Sequence, residues 1–103
     1  MVGERTRDYE VVMILSPEAT EEEVATTVER VGSLITERGG TVSEPENWGV
    51  RRLAYPIQRF FEGKYVLTEF SMEAEHVLEL ELSLNATEIV LRHLVTKREE
   101  PKK

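Results

Sequence analysis

The chain contains no cysteine, so it has no disulfide framework, no thiolate nucleophile and no cysteine-ligated metal. That absence fits a reducing, cytoplasmic setting. Long apolar runs are missing too. The longest near the start, Val11-Val12-Met13-Ile14-Leu15, is five residues, far too short for a membrane span or the core of a signal peptide. There are only two histidines, His76 and His93, and no His-x-x-x-His spacing, Ser-His-Asp set or carboxylate pair built around a water. Glycine is sparse, and Gly39-Gly40 follows a helical stretch instead of preceding one, the wrong order for a phosphate cradle. These gaps argue against an enzyme, a metal site, a cofactor, a small-molecule substrate and a membrane anchor.

Positive charge is also scarce: 13 lysines and arginines stand against 20 acids, a net charge of −7 over 103 residues. An acidic chain ordinarily repels phosphate. The distribution of the charge changes what it implies. Residues 18–37 hold six acids and one base, and residues 73–88 hold five acids and no base, so each block carries −5. Residues 47–68 hold four bases and one acid, and residues 92–103 hold five bases and two acids, so each carries +3.

What is present reads as one small α+β domain over residues 1–103. Residues 1–7 are expected to form a flexible leader, and Asp8 to Leu15 a central strand. Thr20-Glu21-Glu22-Glu23 is a capping box opening a helix. Val24, Val28, Val31, Leu34 and Ile35 form its apolar stripe, and Gly39-Gly40 stops it. Thr41 to about Ile57 reads as a long strand, bent or bulged near Pro45 and Gly49. Gln58 to Gly63 is expected to turn into a second hairpin strand, Lys64 to Met72. Residues 73–84 fit both a helical stripe and a strand alternation, and the alanine, glutamate and leucine content favours helix. Glu88 to Lys97 closes as a strand, and residues 98–103 form a charged tail.

The order β-α-β-β-α-β is the ferredoxin-like arrangement, a four-stranded antiparallel sheet with two helices on one face. Both −5 blocks then fall on the helices. Both +3 blocks fall on strands or the tail, giving an acidic back and a basic sheet side.

The stretch Trp48-Gly49-Val50-Arg51-Arg52-Leu53-Ala54-Tyr55-Pro56-Ile57 is where that basic side concentrates. Arg51 and Arg52 are adjacent on a strand, so they point to opposite faces. Guanidinium forks suit phosphate, and Tyr55, Arg59, Phe60, Phe61, Lys64 and Tyr65 lie close by, with aromatic faces on which bases stack. The plainer reading is a solvated strand end paired with Glu44, Glu46 or Glu69. Trp48, the single tryptophan, reads as a core edge or a partner anchor. Phe60 and Phe61 in a turn need a cover, which a partner or a folded-back loop supplies. Tyr9 and Tyr55 are the aromatics expected to be exposed. His76 and His93 read as structural or simply exposed. Residues 62–66 only partly match the RNP1 signature of RNA recognition motifs.

These residues resemble a known family. Gly49 to Ile57 is similar to the Gly-x-Arg-x-Leu-Ala-Tyr-Pro-Ile segment of the bacterial small-subunit ribosomal protein S-six family. Asp8-Tyr9-Glu10 resembles its opening strand, Gly63-Lys64-Tyr65 its hairpin exit, and Val90 to Val95 its closing strand, in consistent order over residues 8–98. The resemblance implies a non-catalytic, cytoplasmic, ribosome-associated protein. It would bind the central domain of small-subunit (16S) rRNA together with ribosomal protein S-eighteen. Arg51, Arg52 and Tyr55 would lie in the segment serving rRNA and partner, with Tyr9 beside them and Lys97 and Arg98 starting the tail. Arg59, Lys64 and Arg92 complete the expected contact set, and Trp48, Phe60 and Phe61 the expected partner anchors.

The −7 charge gives its own reason for a companion, since a local +3 neutralises few phosphates and a basic partner would supply the rest. Two rival readings rest on fold alone. An acylphosphatase-like enzyme would need an arginine and an asparagine beside a phosphate loop, which neither Asn47 nor Asn85 has. An oligomerisation module would need an exposed apolar sheet face.

Overall fold

The computed structural model describes residues 6–98; residues 1–5 of the expected leader and 99–103 of the expected tail lie outside them. The elements run β1 (Thr6–Leu15), α1 (Glu21–Glu37), β2 (Thr41–Val42), β3 (Glu46–Ile57), β4 (Phe60–Glu73), α2 (Ala74–Asn85) and β5 (Val90–Lys97). Thr6 and Arg7, expected in the leader, are instead the first residues of β1, opposite Glu73 and Met72.

All strand pairs are antiparallel, and β4 lies beside β1, which lies beside β5. On its other side β4 meets β2 at Phe70–Ser71 and β3 between Phe60 and Leu67. The short β2 and the longer β3 lie end to end as one edge, so five strands fill four positions. The break falls at residues 43–45, where Pro45 has no N–H to give to the ladder. Ser43 bridges it, donating from both its amide and its hydroxyl to the Glu69 carbonyl at 2.9 Å. A second irregularity separates Asn47 from Gly49, where Gly49 adopts φ +81° and the Asn47 side chain accepts its N–H. Both interruptions sit where Pro45 and Gly49 signalled a bend.

Helix α1 begins as its sequence dictates. Thr20 accepts from the Glu23 amide at 3.1 Å, and the Glu23 carboxylate accepts from the Thr20 amide at 2.9 Å, satisfying two orphan donors. It ends in a Schellman motif: Gly40 N–H bonds Ile35 O and Gly39 N–H bonds Thr36 O, with Gly39 at φ +84°. Helix α2 takes the ambiguous segment, burying Leu80 and Leu84.

Alternation along the strands then decides the core. Tyr9, Val11, Met13 and Leu15 of β1, with Val66, Phe70 and Met72 of β4, face the helices and pack with Val24, Val31, Ile35, Leu80 and Leu84. Both helices therefore cover the same face, and the other is open.

The hairpin differs from expectation. Its turn is only Gln58-Arg59, because Ile57 pairs directly with Phe60. Gln58 takes φ +57°, a conformation glycine would adopt more cheaply. Phe60, Phe61, Glu62 and Gly63 thus belong to β4, and the hairpin tip runs beyond the end of β1, whose last partner on β4 is Lys64.

Candidate functional site

Residues opposed in an antiparallel pair share a face. On the open face, Glu10, Val12 and Ile14 of β1 lie between Glu69, Leu67 and Tyr65 of β4 and Thr96, Leu94 and Arg92 of β5. Val12, Ile14 and Leu67 are half-buried with no element over them among the described residues, and Leu94 is 61% exposed. The result is an apolar stripe crossing three strands.

At the β3 end of this stripe stands a built aromatic stack. Trp48 and Tyr65 lie parallel within 11° with centroids 6.3 Å apart, and the Arg51 guanidinium sits 5.2 Å from the Trp48 ring centre. Trp48 is 40% exposed, and its indole N–H donates to Glu46 at 3.1 Å. The Gly49 bulge brings Trp48 over Tyr65. Arg92 lies at the same end of the face on β5, three strand spacings from β3, or roughly 14 Å. The opposite end is acidic, with Asp8, Glu10 and Glu69. Arg98 there pairs with Glu69 at 3.7 Å, and its amide donates to the Asp8 carbonyl at 2.7 Å.

The expected basic ribbon is therefore corrected. Arg51 and Arg92 share the open face, but Arg52 opposes Glu62 and points to the other side. Lys64 opposes Leu15 on the helix side, where its ammonium donates to the Ala19 carbonyl at 2.7 Å. Lys97 opposes Tyr9 and shares the helix-side direction. The two acidic blocks fall largely on the helices, but Asp8, Glu10, Glu46 and Glu69 lie on the open face, and base too is divided between two faces.

Tyr9 is a further correction. It is 8% exposed and stacked on Phe70 with centroids 5.4 Å apart, so it is core and not contact surface. Its position in the alternation, two residues before Val11, places it under the helices. Tyr55 is exposed as expected, on the projecting hairpin. Phe61 is 65% exposed. Phe60 is half-buried under the Arg59 guanidinium, 4.7 Å from its ring centre, and Arg59 also reaches Glu18 at 3.6 Å. His93 opposes Met13 on the helix side, and His76 lies 3.6 Å from Glu73 and 3.9 Å from Glu79. The Asn47 side-chain oxygen accepts from the Gly49 amide at 2.9 Å.

Val12, Ile14, Leu67 and Leu94 were not among the expected contact residues, and Tyr65 was expected only as a neighbouring aromatic. Their signal was the unbroken run Val11 to Leu15. A strand apolar at every position asks for cover on both faces, and two helices roof only one.

Comparison with known proteins agrees with this architecture. The family described as ribosomal protein S6 matches residues 8–97. The small ribosomal subunit protein bS6 of Caldanaerobacter subterraneus subsp. tengcongensis is 43% identical over 94 residues, covering 91% of this chain and 99% of that one. Its counterpart in Fusobacterium nucleatum subsp. nucleatum is 40% identical over 93 residues, covering 90% and 99%. The crystal structure of 30S ribosomal protein S6 from Thermotoga maritima superposes with a TM-score of 0.84 at 35% identity, covering 90% of this chain and 88% of that one.

Proposed function

The chain belongs to the ribosomal protein S6 family, and from that premise we propose that it binds the central domain of 16S rRNA as a pair with ribosomal protein S-eighteen. It is a structural protein of the small ribosomal subunit, in the cytoplasm, and not an enzyme. In this reading the companion covers the open sheet face and RNA follows the projecting β3–β4 hairpin.

One observation carries the proposal: an apolar stripe of Val12, Ile14, Leu67 and Leu94 lies uncovered beside the Arg51–Trp48–Tyr65 stack. Aromatic and arginine side chains around an apolar centre are the composition of protein interfaces. Arg52, Arg59 and Tyr55 on the hairpin supply the guanidiniums and ring suited to RNA, and Phe61 adds a second exposed ring. Their few charges on a −7 chain give little affinity alone, so a basic companion contributes most of the phosphate contact.

The test is a titration of a central-domain 16S rRNA fragment with this chain alone and then with S-eighteen present. Much tighter binding with the companion is expected, and equal affinities would defeat the proposal. An open apolar face also suits a second copy of the chain. A stable homodimer in sedimentation of the pure protein would count against the companion.

A further inference from the structure

Strand β3 is an edge. It pairs with β4 and with no other strand among the described residues, so the outer side of its backbone is an unpaired row of donors and acceptors. Helix α1 stops short of covering it. Between the two runs a groove of about 750 Å³, on the helix side of the sheet and away from the open face. Val24, Ala25 and Val28 of α1 form one wall, Val50 of β3 the other, and Val66 the floor. Val50 is 53% exposed although it points toward the helix layer, since it opposes Lys64.

The edge is guarded at both ends. Pro45 precedes it, the Gly49 bulge interrupts it, and Pro56 removes a donor near the tip. These are devices that prevent long edge-to-edge pairing. The register with β4 shifts again between Arg52 and Ile57, so what remains regular is short, Gly49 to Arg52, and suits a brief extended segment better than a whole strand of another sheet.

We propose that this groove takes an extended, lysine- or arginine-bearing segment of a partner protein, added as a strand along the outer edge of β3. Main-chain bonds to β3 supply the affinity, and every second side chain of the segment enters the apolar groove. The sign of the partner's charge follows from the rim. Glu21 and Glu29 of α1 line the groove, and neither has an ion-pair partner among the described residues. The one cation there, Lys64, is tied to the Ala19 carbonyl. A segment alternating small β-branched residues with basic ones satisfies both features. The site is separate from the open face and does not depend on it.

The probe is an acetylated octapeptide alternating valine with lysine and threonine, titrated against the intact chain. Binding is read from Trp48, the single tryptophan, and from amide hydrogen exchange over Val50 to Ala54. Saturable binding with slowed exchange on β3 is expected. Ala25→Lys, at an exposed wall position, should weaken it by roughly tenfold or more, and Leu94→Lys on the open face should leave it unchanged. The same peptide N-methylated at alternate amides should bind at least as weakly. Unchanged exchange on β3, equal affinity of the N-methylated peptide, or indifference to Ala25→Lys would each overturn the proposal. So would a homodimer of the pure chain that protects the same amides, because a second copy would then be the occupant.

Discussion

The two faces of the sheet are made by the same strands, one residue up and the next down, and both are apolar near the middle. On one face Val11, Met13 and Leu15 are sealed beneath two helices. On the other, Val12 and Ile14 alternate with them and are covered by nothing among the described residues. Composition alone does not tell such faces apart. The covered face contributes stability, at roughly 1.5–3 kcal/mol for each large side chain removed from water. The open face leaves that same gain unrealised in the isolated chain, available to whatever docks there. Polar groups mark the difference. On the covered face Lys64, His93 and Lys97 lie toward the ends or edge of the apolar row, whereas the open face mixes its stripe with Glu10, Glu46, Glu69, Arg51 and Arg92.

The largest effect that separates the faces is a truncation on the covered side. Met13 is fully buried, and Met13→Ala should lower unfolding free energy by about 2–5 kcal/mol, measured by urea denaturation. Its counterpart, Leu94→Lys, should change stability by no more than about 0.5 kcal/mol. It should weaken binding of the companion by roughly tenfold or more, since it puts a charge into the apolar centre of the proposed interface. Trp48→Ala should do the same by removing the ring that Arg51 and Tyr65 flank. If Leu94→Lys unfolded the chain as Met13→Ala does, the distinction between the faces would collapse.

A smaller effect sharpens the contrast from the opposite direction. Thr68 lies on the covered face opposite Val11, 2% exposed, and its hydroxyl has no hydrogen-bond partner among the described residues. A buried polar atom left unpaired costs roughly 1–3 kcal/mol. Thr68→Val, nearly the same shape, should therefore raise stability by about 1 kcal/mol in the same denaturation assay, with companion binding unchanged.

Much of this was legible in the chain, and the parts that were not share a cause. Helix α1 could be read whole because its limits are local: Thr20 and Glu23 cap each other, and Gly39 takes the left-handed turn. The interrupted edge strand was readable for the same reason, from Pro45 and Gly49. The hairpin tip was not, because Gln58 supplies a positive φ without glycine or asparagine to announce it. Tyr9 and Lys64 were misjudged because the direction of a strand residue depends on the register with its neighbours and on which face the helices cover. Neither is written within a few residues of the position itself. Charge followed the same rule. Blocks of acid on the helices could be counted, and the opposite directions of Arg51 and Arg52 followed from strand parity, but which face each base takes depends on the register with β4.

The finest test concerns the helix layer, where one ion pair joins the two helices. The Arg38 guanidinium, at the end of α1, bonds the Glu79 carboxylate on α2. This hydrogen bond holds the Glu79 carboxyl below the usual carboxylate range, and Arg38 is raised in turn. A carboxyl depressed by folding contributes stability that is present above its unfolded value and is lost as pH falls through the folded one. Both side chains are well solvated, so the effect is small. Wild type should exceed Glu79→Gln slightly in melting temperature at neutral pH, and the gap should close as the solution is acidified below the ordinary carboxylate range. His76, 3.9 Å from the same carboxylate, is the one other titratable nitrogen group facing it among the described residues. The closing should therefore persist when both chains also carry His76→Gln. A gap that stayed constant as the pH fell would mean that folding does not favour the charged form of Glu79, and that the helices are joined by their apolar stripes alone.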